Sequence, residues 1–187
     1  MEGALEPGKS GRRALLLDRD GVINRDHGYV ATRERFEFTC GIFTLTRRAV
    51  DRGYAVAVIT NQAGIARGYY PESQFFALSR WMTDEFRREG VDLAGVFHCP
   101  YFANGDVPAY RRDSFWRKPA PGMILEAAQR LQLDLARSIF VGDQPTDMAA
   151  AAAAGVGTRV LIGDGQLCSA GHTTLTIRHL AELTATL

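Results

Sequence analysis

Short apolar runs alternate along the chain with segments in which apolar residues recur every three or four positions. Residues 14–18, 55–60, 94–98, 138–142 and 158–162 are short and mostly apolar, the pattern of buried strands, and residues 174–177 form a weaker sixth. Between them lie helical patterns. Ile42, Leu45 and Ala49 share one helix face, and Gly53 supplies the stop. Pro71 and Glu72 open a helix that aligns Phe75, Leu78, Met82 and Phe86, and Gly90 ends it. Pro121 opens a third, with Ile124, Ala128 and Leu131 in register, and Pro145 opens an alanine-rich fourth that closes at Gly155. A helical turn follows the sixth strand. Strands separated by helices predict an α/β fold, a parallel sheet with helices on both faces.

A length of 187 residues suits one domain, expected over 14–187, behind a polar, glycine- and proline-containing tail over 1–13. That tail lacks the apolar core of a secretory signal, and no apolar run reaches the length of a membrane span. Cys40, Cys99 and Cys168 are odd in number and far apart, with no CxxC pair. A reducing, cytoplasmic setting is the expectation. The formal net charge of +1 gives no general pull toward nucleic acid or membrane. The basic stretch over 111–118 is too short and isolated to form a nucleic-acid surface. A monomer or weak homo-oligomer acting on a small molecule is expected.

The chemistry collects at strand ends. The first strand runs into Asp18-Arg19-Asp20-Gly21, the second into Thr60-Asn61, the third into His98-Cys99 and the fourth into Gly142-Asp143. In a parallel sheet these ends share one edge, where α/β proteins bind ligands. Lys118 precedes the Pro121 helix and reaches the same edge. Asp18, Asp20, Asp143 and Asp147 concentrate negative charge that is costly without a cation. All-oxygen donors suit Mg2+. Lys118 and the Thr60 hydroxyl add the positive charge and the donor that phosphoryl oxygens require. No GxGxxG follows the first strand and no Walker A loop is present, which argues against hydride transfer and ATP hydrolysis of that type.

Asp18-Arg19-Asp20-Gly21, Thr60, Lys118 and Gly142-Asp143-Gln144-Pro145-Thr146-Asp147 resemble, in order and placement, the four motifs of the haloacid dehalogenase (HAD) superfamily phosphatases. The resemblance covers residues 14–165. It implies a Rossmann-like fold and a Mg2+-dependent phosphatase. Asp18 would be the nucleophile that forms an aspartyl phosphate, and Asp20 the acid and base. Thr60 and Lys118 would complete the catalytic set. Asp18, Asp20 and Asp143 would hold Mg2+, with Asp147 behind them. Residues 21–59 and 61–117 are used up by loops and single helices and strands, so the cap is expected to be minimal, made of loops.

Residues 21–30, 60–68 and 117–123 resemble the heptose-bisphosphate 7-phosphatase subfamily, whose work is bacterial lipopolysaccharide or S-layer heptose synthesis. That likeness implies a phosphorylated sugar held by Asp26, His27, Gly28, Tyr29, Asn61, Gln62, Ala63 and Arg117. Two positions depart from it. The subfamily's zinc loop carries a Cys-x-His and a Cys-x-Cys pair. Here Cys99 remains, while Tyr101, Ser114 and Trp116 occupy the other places, so zinc is not expected. His98 reads as a strand residue rather than a ligand. Gln144 stands where the subfamily tends to have lysine.

Histidinol-phosphate phosphatases are the nearest enzyme alternative. A phosphosugar-binding module without turnover is the non-enzyme alternative, against which both Asp18 and Asp20 stand intact. A response-regulator receiver would place its nucleophile on a mid-chain strand, whereas the acidic pair here ends the first. Gly163-Asp164-Gly165 also follows a strand, but no acid or helix pattern succeeds it, and it reads as a turn.

Overall fold

A computed structural model describes residues 11–163 and 171–187. Cys168 and most of the Gly163-Asp164-Gly165 turn lie outside the described residues. Six parallel strands form one sheet: β1 (Ala14–Leu17), β2 (Ala55–Asn61), β3 (Gly95–Cys99), β4 (Ile139–Gly142), β5 (Thr158–Ile162) and β6 (Leu175–Ile177). Their order is β3-β2-β1-β4-β5-β6. The chain leaves β1 on one side for β2 and later returns on its other side for β4. That reversal opens a crevice at the carboxyl ends of β1, β2 and β4. Leu15 sits in register with Val56 on one side and Ile139 on the other, so β1 is the central strand.

Six helices cover the sheet: α1 (Ile42–Asp51), α2 (Ala63–Ala66), α3 (Glu72–Arg88), α4 (Gly122–Leu131), α5 (Pro145–Ala153) and α6 (Leu180–Thr186). Successive strand residues point to opposite faces, and β1 serves both. Leu15 and Leu17 pack with Leu45 of α1, Met82 and Phe86 of α3 and Leu183 of α6. Ala14 and Leu16 pack on the other side with Ile124 and Ala127 of α4 and Met148 and Ala151 of α5. All four β1 side chains are fully buried. Truncating one such leucine to alanine costs about 2–5 kcal/mol. The alanine run in α5 serves close approach: Ala150 and Ala151 are fully buried, and a Cβ on Gly142 would collide with the Asp147 side chain.

Every strand and long helix expected from the pattern is present, with ends shifted by a residue or two. The short helix α2 and the 3-10 turns Arg33–Arg35 and Leu135–Arg137 carry too few residues to show a period. The tail expected over 1–13 is attached over its last residues. Arg12 donates to Gln132 O at 2.9 Å and accepts from Asp134 N at 3.0 Å. No described helix is long and apolar enough to cross a membrane.

Candidate active site

Asp18 follows β1 directly, and its backbone amide still bonds to Val141 O of β4 at 2.9 Å. The carboxylate is thereby aimed at the crevice with the precision of the sheet. Its Oδ1 accepts from the Arg19 amide at 2.7 Å and lies 3.0 Å from Lys118 Nζ. Lys118 arrives from the loop before α4 and is 3% exposed. Its ammonium also meets Asp147 Oδ1 at 2.6 Å and Ile59 O at 3.0 Å. Burial by itself would make Lys118 a weaker cation, but Asp147 and Asp18 more than reverse this and hold its pKa above the ordinary lysine value. The loop is fixed in turn by Asn61, whose side chain donates to Lys118 O at 3.0 Å and accepts from Lys118 N at 3.1 Å.

Asp147 stands in the first turn of α5, where its Oδ2 accepts from the Gln144 amide at 3.0 Å and caps the helix. Asp143 ends β4 between them. Carboxylate oxygens of Asp18, Asp143 and Asp147 come within 4.8 Å of one another. Burial, opposed by Lys118 and aided by the neighbouring carboxylates, pushes Asp18 well above its usual range. Burial likewise raises Asp143 to about 6. Gln144 donates to Asp143 Oδ2 at 3.0 Å, whereas Asp143 Oδ1 is buried with no hydrogen-bond partner. Gly21, at φ +87°, leaves room for the Asp143 carboxylate, which any Cβ there would strike. A buried orphan oxygen, three carboxylates and no soft donor fit a hard divalent cation such as Mg2+.

Asp20 was expected among the metal ligands, but its carboxylate lies outside this cluster. Arg19, 1% exposed, grips it with Nη2 at 2.8 and 2.7 Å and donates also to Val30 O at 2.7 Å. Asn24 and Gln62 donate to Asp20 at 3.1 Å each. Gln62 bonds Thr60 Oγ1 at 2.9 Å as well, and its carbonyl accepts from Tyr70 at 2.7 Å. Thr60, Gln62, Asp20 and Tyr70 thus form one hydrogen-bonded chain beside the carboxylate cluster. Tyr70 is buried, which lifts its pKa to about 12 and keeps it a neutral donor.

Next to this chain opens a cavity of about 370 Å3, lined by Asp20, Asp26, Gly28, Tyr29, Asn61, Gln62, Ala63, Tyr70 and Arg117. The size falls within the roughly 300–1,000 Å3 usual for small-molecule sites. Seven of the eight residues expected to hold substrate are in this lining. His27 is not. It is exposed and turns to Glu37, 3.4 Å away, which the Arg25 guanidinium also meets.

Sequence reasoning missed Arg19, Asn24 and Tyr70. A signal for Arg19 exists: a buried acidic pair requires a cation, and Arg19 sits between the two acids. For Tyr70 there is none, since a single aromatic in a loop reads as packing.

His98 hydrogen-bonds Glu72 at 2.8 Å and stacks on Phe75 at 4.3 Å, as a packed strand residue does. Cys99 is buried, its thiol raised by that burial, with Sγ 4.0 Å from Tyr101 O.

An open parallel sheet with a carboxylate at the end of its central strand, a buried lysine against it and a second acidic pair after the next strand, at its end and in the first turn of the following helix, defines a phosphatase of the HAD type. A family model described as "HAD-hyrolase-like" matches residues 115–182. The chain is 52% identical over 152 residues to the D-glycero-alpha-D-manno-heptose-1,7-bisphosphate 7-phosphatase of Burkholderia mallei, covering 81% of this chain and 80% of that one. It is 45% identical over 153 residues to the D-glycero-beta-D-manno-heptose-1,7-bisphosphate 7-phosphatase of Vibrio cholerae, covering 82% of each. The crystal structure of D,D-heptose 1,7-bisphosphate phosphatase from B. bronchiseptica, complexed with magnesium and phosphate, superposes with a TM-score of 0.81 at 29% identity, over 93% of this chain and 97% of that one. The chain belongs to the heptose-1,7-bisphosphate 7-phosphatase family of the HAD superfamily, whose members hydrolyse phosphoric monoesters.

Proposed function

We propose that the protein hydrolyses D-glycero-D-manno-heptose 1,7-bisphosphate at the 7-phosphate, through an aspartyl phosphate on Asp18. The observation that carries this reading is the junction of two features: the Asp18–Lys118–Asp143–Asp147 cluster, and the polar cavity that opens beside it with Arg117 in its wall. Both described contacts of the Asp18 carboxylate fall on Oδ1, so Oδ2 is the oxygen presented to phosphorus. Its attack forms the Asp18–phosphorus bond and breaks the bond to the sugar oxygen. Asp20, aimed by Arg19, Asn24 and Gln62, gives that oxygen its proton and then takes one from the water that cleaves the acyl phosphate. Thr60 and Lys118 donate to the phosphoryl oxygens. Mg2+ is the cofactor that Asp18 and Asp143 would hold, supplying charge neutralisation at the phosphoryl group when bound. With its carboxylate committed to Arg19, Asp20 has only its main chain to offer the ion. The sugar extends toward Asp26, Gly28, Tyr29 and Asn61, and Arg117 faces its distal end.

The reading extends to a loop 100–117 that takes no zinc, because Cys99 is the one cysteine left of the usual four ligands. What holds the loop is its own set of contacts. Tyr110 donates to Glu72 at 3.0 Å and its carbonyl accepts from Phe102 N at 3.2 Å. Arg112 lies 3.9 Å from the Tyr101 ring centre.

The test is turnover of both anomers of the bisphosphate, and of histidinol phosphate, with Mg2+. Release of one phosphate per sugar, leaving the 1-phosphate, is the expected result. Faster cleavage of histidinol phosphate than of either anomer would overturn it.

A further inference from the structure

Arg67 lies at the carboxyl end of α2, one turn beyond Ala63, whose side chain lines the cavity. Residues four apart share a helix face, so Arg67 falls on the same side of α2 as Ala63, beyond the cavity lining itself. Its guanidinium carbon is 4.4 Å from the centre of the Phe102 ring, and that of Arg117 is 4.9 Å from the same centre. Two cations thus gather on one aromatic side chain at the rim of the cavity. Among the described residues, neither makes an ion pair with a carboxylate within 4 Å. Arg117 has one hydrogen bond, to Tyr101 O at 3.4 Å. The Arg67 Nε is buried and has no hydrogen-bond partner at all.

That arrangement is unfavourable as it stands. A buried, unsatisfied donor costs free energy, and two half-buried like charges repel. Burial above all, and to a lesser degree the Arg67 charge, pull the Arg117 pKa below its ordinary value, so the cation is held there at a cost. The cation–π contacts to Phe102 offset part of the cost and hold both guanidiniums apart from the carboxylates of the active site. A dianion placed between their free N–H edges would satisfy both at once, since guanidinium groups pair with phosphate bidentately.

We propose that Arg67 is a specificity-determining residue, which together with Arg117 and their common support Phe102 forms a subsite for the second, non-reacting phosphate of the substrate. The inference rests on the bisphosphate reading given above. It assigns distal recognition to two arginines from two different loops, 60–68 and 100–117, rather than to Arg117 alone. Because both loops contribute, the 2.9 Å bond from Val107 N to Ala66 O, which ties them together, sets the spacing between the two cations.

The experiment compares wild type with Arg67→Gln, Arg67→Lys and Arg117→Ala on two substrates, heptose 1,7-bisphosphate and heptose 7-phosphate, which share the reacting phosphate and differ only in the distal one. Arg67→Gln should lower kcat/KM for the bisphosphate roughly tenfold to hundredfold more than for the monophosphate, mainly through KM. Arg67→Lys should recover part of that difference. The Arg67→Gln/Arg117→Ala double variant should lose less than the product of the two single losses, because both act on one phosphate. Equal loss on the two substrates would make Arg67 a merely structural residue and overturn the inference while leaving the bisphosphate reading intact. Wild-type enzyme that cleaves neither heptose substrate but turns over another phosphate ester would overturn both.

Discussion

The catalytic edge and the loop 100–117 face the same crevice but are built on opposite terms. At the edge, Asp18, Asp143 and Asp147 are placed by strand ends and a helix start, and one buried lysine pairs with two of them, Asp18 and Asp147. The distances there follow from sheet register. In the loop, a few backbone bonds such as Val107 N to Ala66 O are joined by side-chain contacts: Tyr110 on Glu72, Arg112 on Tyr101, and Phe102 under Arg117 and under Arg67 at the end of α2. The first region suits chemistry, which fails when a reacting atom moves by an ångström. The second suits recognition, which tolerates small displacements and changes by substitution. The three positions at which this chain departs from the subfamily's zinc-loop pattern, Tyr101, Ser114 and Trp116, all fall in the second region.

The contrast is sharpest at Asp18. Asp18→Asn removes the nucleophile while leaving shape and volume almost unchanged. Turnover should fall by about 10⁴-fold or more, on sugar bisphosphates and on small generic esters alike. Detectable activity near wild type, measured as phosphate release, would mean that the edge does not carry the chemistry.

Lys118→Met should act on both stability and turnover. It strips the cation from two buried carboxylates, and breaking a buried ion pair from one side costs about 3–5 kcal/mol. In a chain of this size that corresponds to a fall in Tm of roughly 6–20 °C. A variant as stable as wild type by calorimetry would show that the carboxylates are protonated or solvated rather than held by the ammonium.

The cluster also predicts a pH signature that the loop lacks. Asp143 sits at about 6 in the folded protein, above its value in the unfolded chain, so the folded state binds more protons in between. Without a divalent ion, stability should be greatest below about pH 4 for this group and should decline as pH rises through about 6. The decline from Asp143 amounts to at most about 3 kcal/mol. Mg2+ should reverse it by favouring the ionised carboxylates. Urea melts at pH 4, 5, 6 and 7 with and without Mg2+ would check this, and a Mg2+-independent profile would argue against a metal at Asp143.

What could be read in advance follows the same division. Buried strands announce themselves by composition and helices by period, and polar residues at strand ends must converge on one edge, so Asp18, Thr60, Lys118 and Asp143 were legible. Side chains that act through orientation were not. His27 has the composition of a binding residue, yet the turn at Gly28 and Tyr29, both at positive φ, directs it outward to Glu37. Arg67 and Phe102 are 35 positions apart in sequence and meet only because Val107 bonds to Ala66. The orientation of Asp20 was equally out of reach: its carboxylate turns to the Arg19 guanidinium at 2.7 Å, outside the Asp18–Asp143–Asp147 cluster, which spacing along the chain does not show.

The smallest expected effect tests how the loop is held. Tyr110→Phe removes one hydroxyl from the bond to Glu72, a half-exposed contact whose loss costs about 0.5–1.5 kcal/mol. Tm should fall by roughly 1–6 °C. Because the loop carries Phe102 and Arg117, KM for the bisphosphate should rise while kcat, set at the strand ends, changes little. Protein purified without added metal should contain no stoichiometric zinc, and a zinc-selective chelator should leave both Tm and KM unchanged. A chelator effect larger than that of Tyr110→Phe would mean that metal rather than packing organises the loop. The two sides of the crevice would then both be built around ions, and the contrast between them would fail.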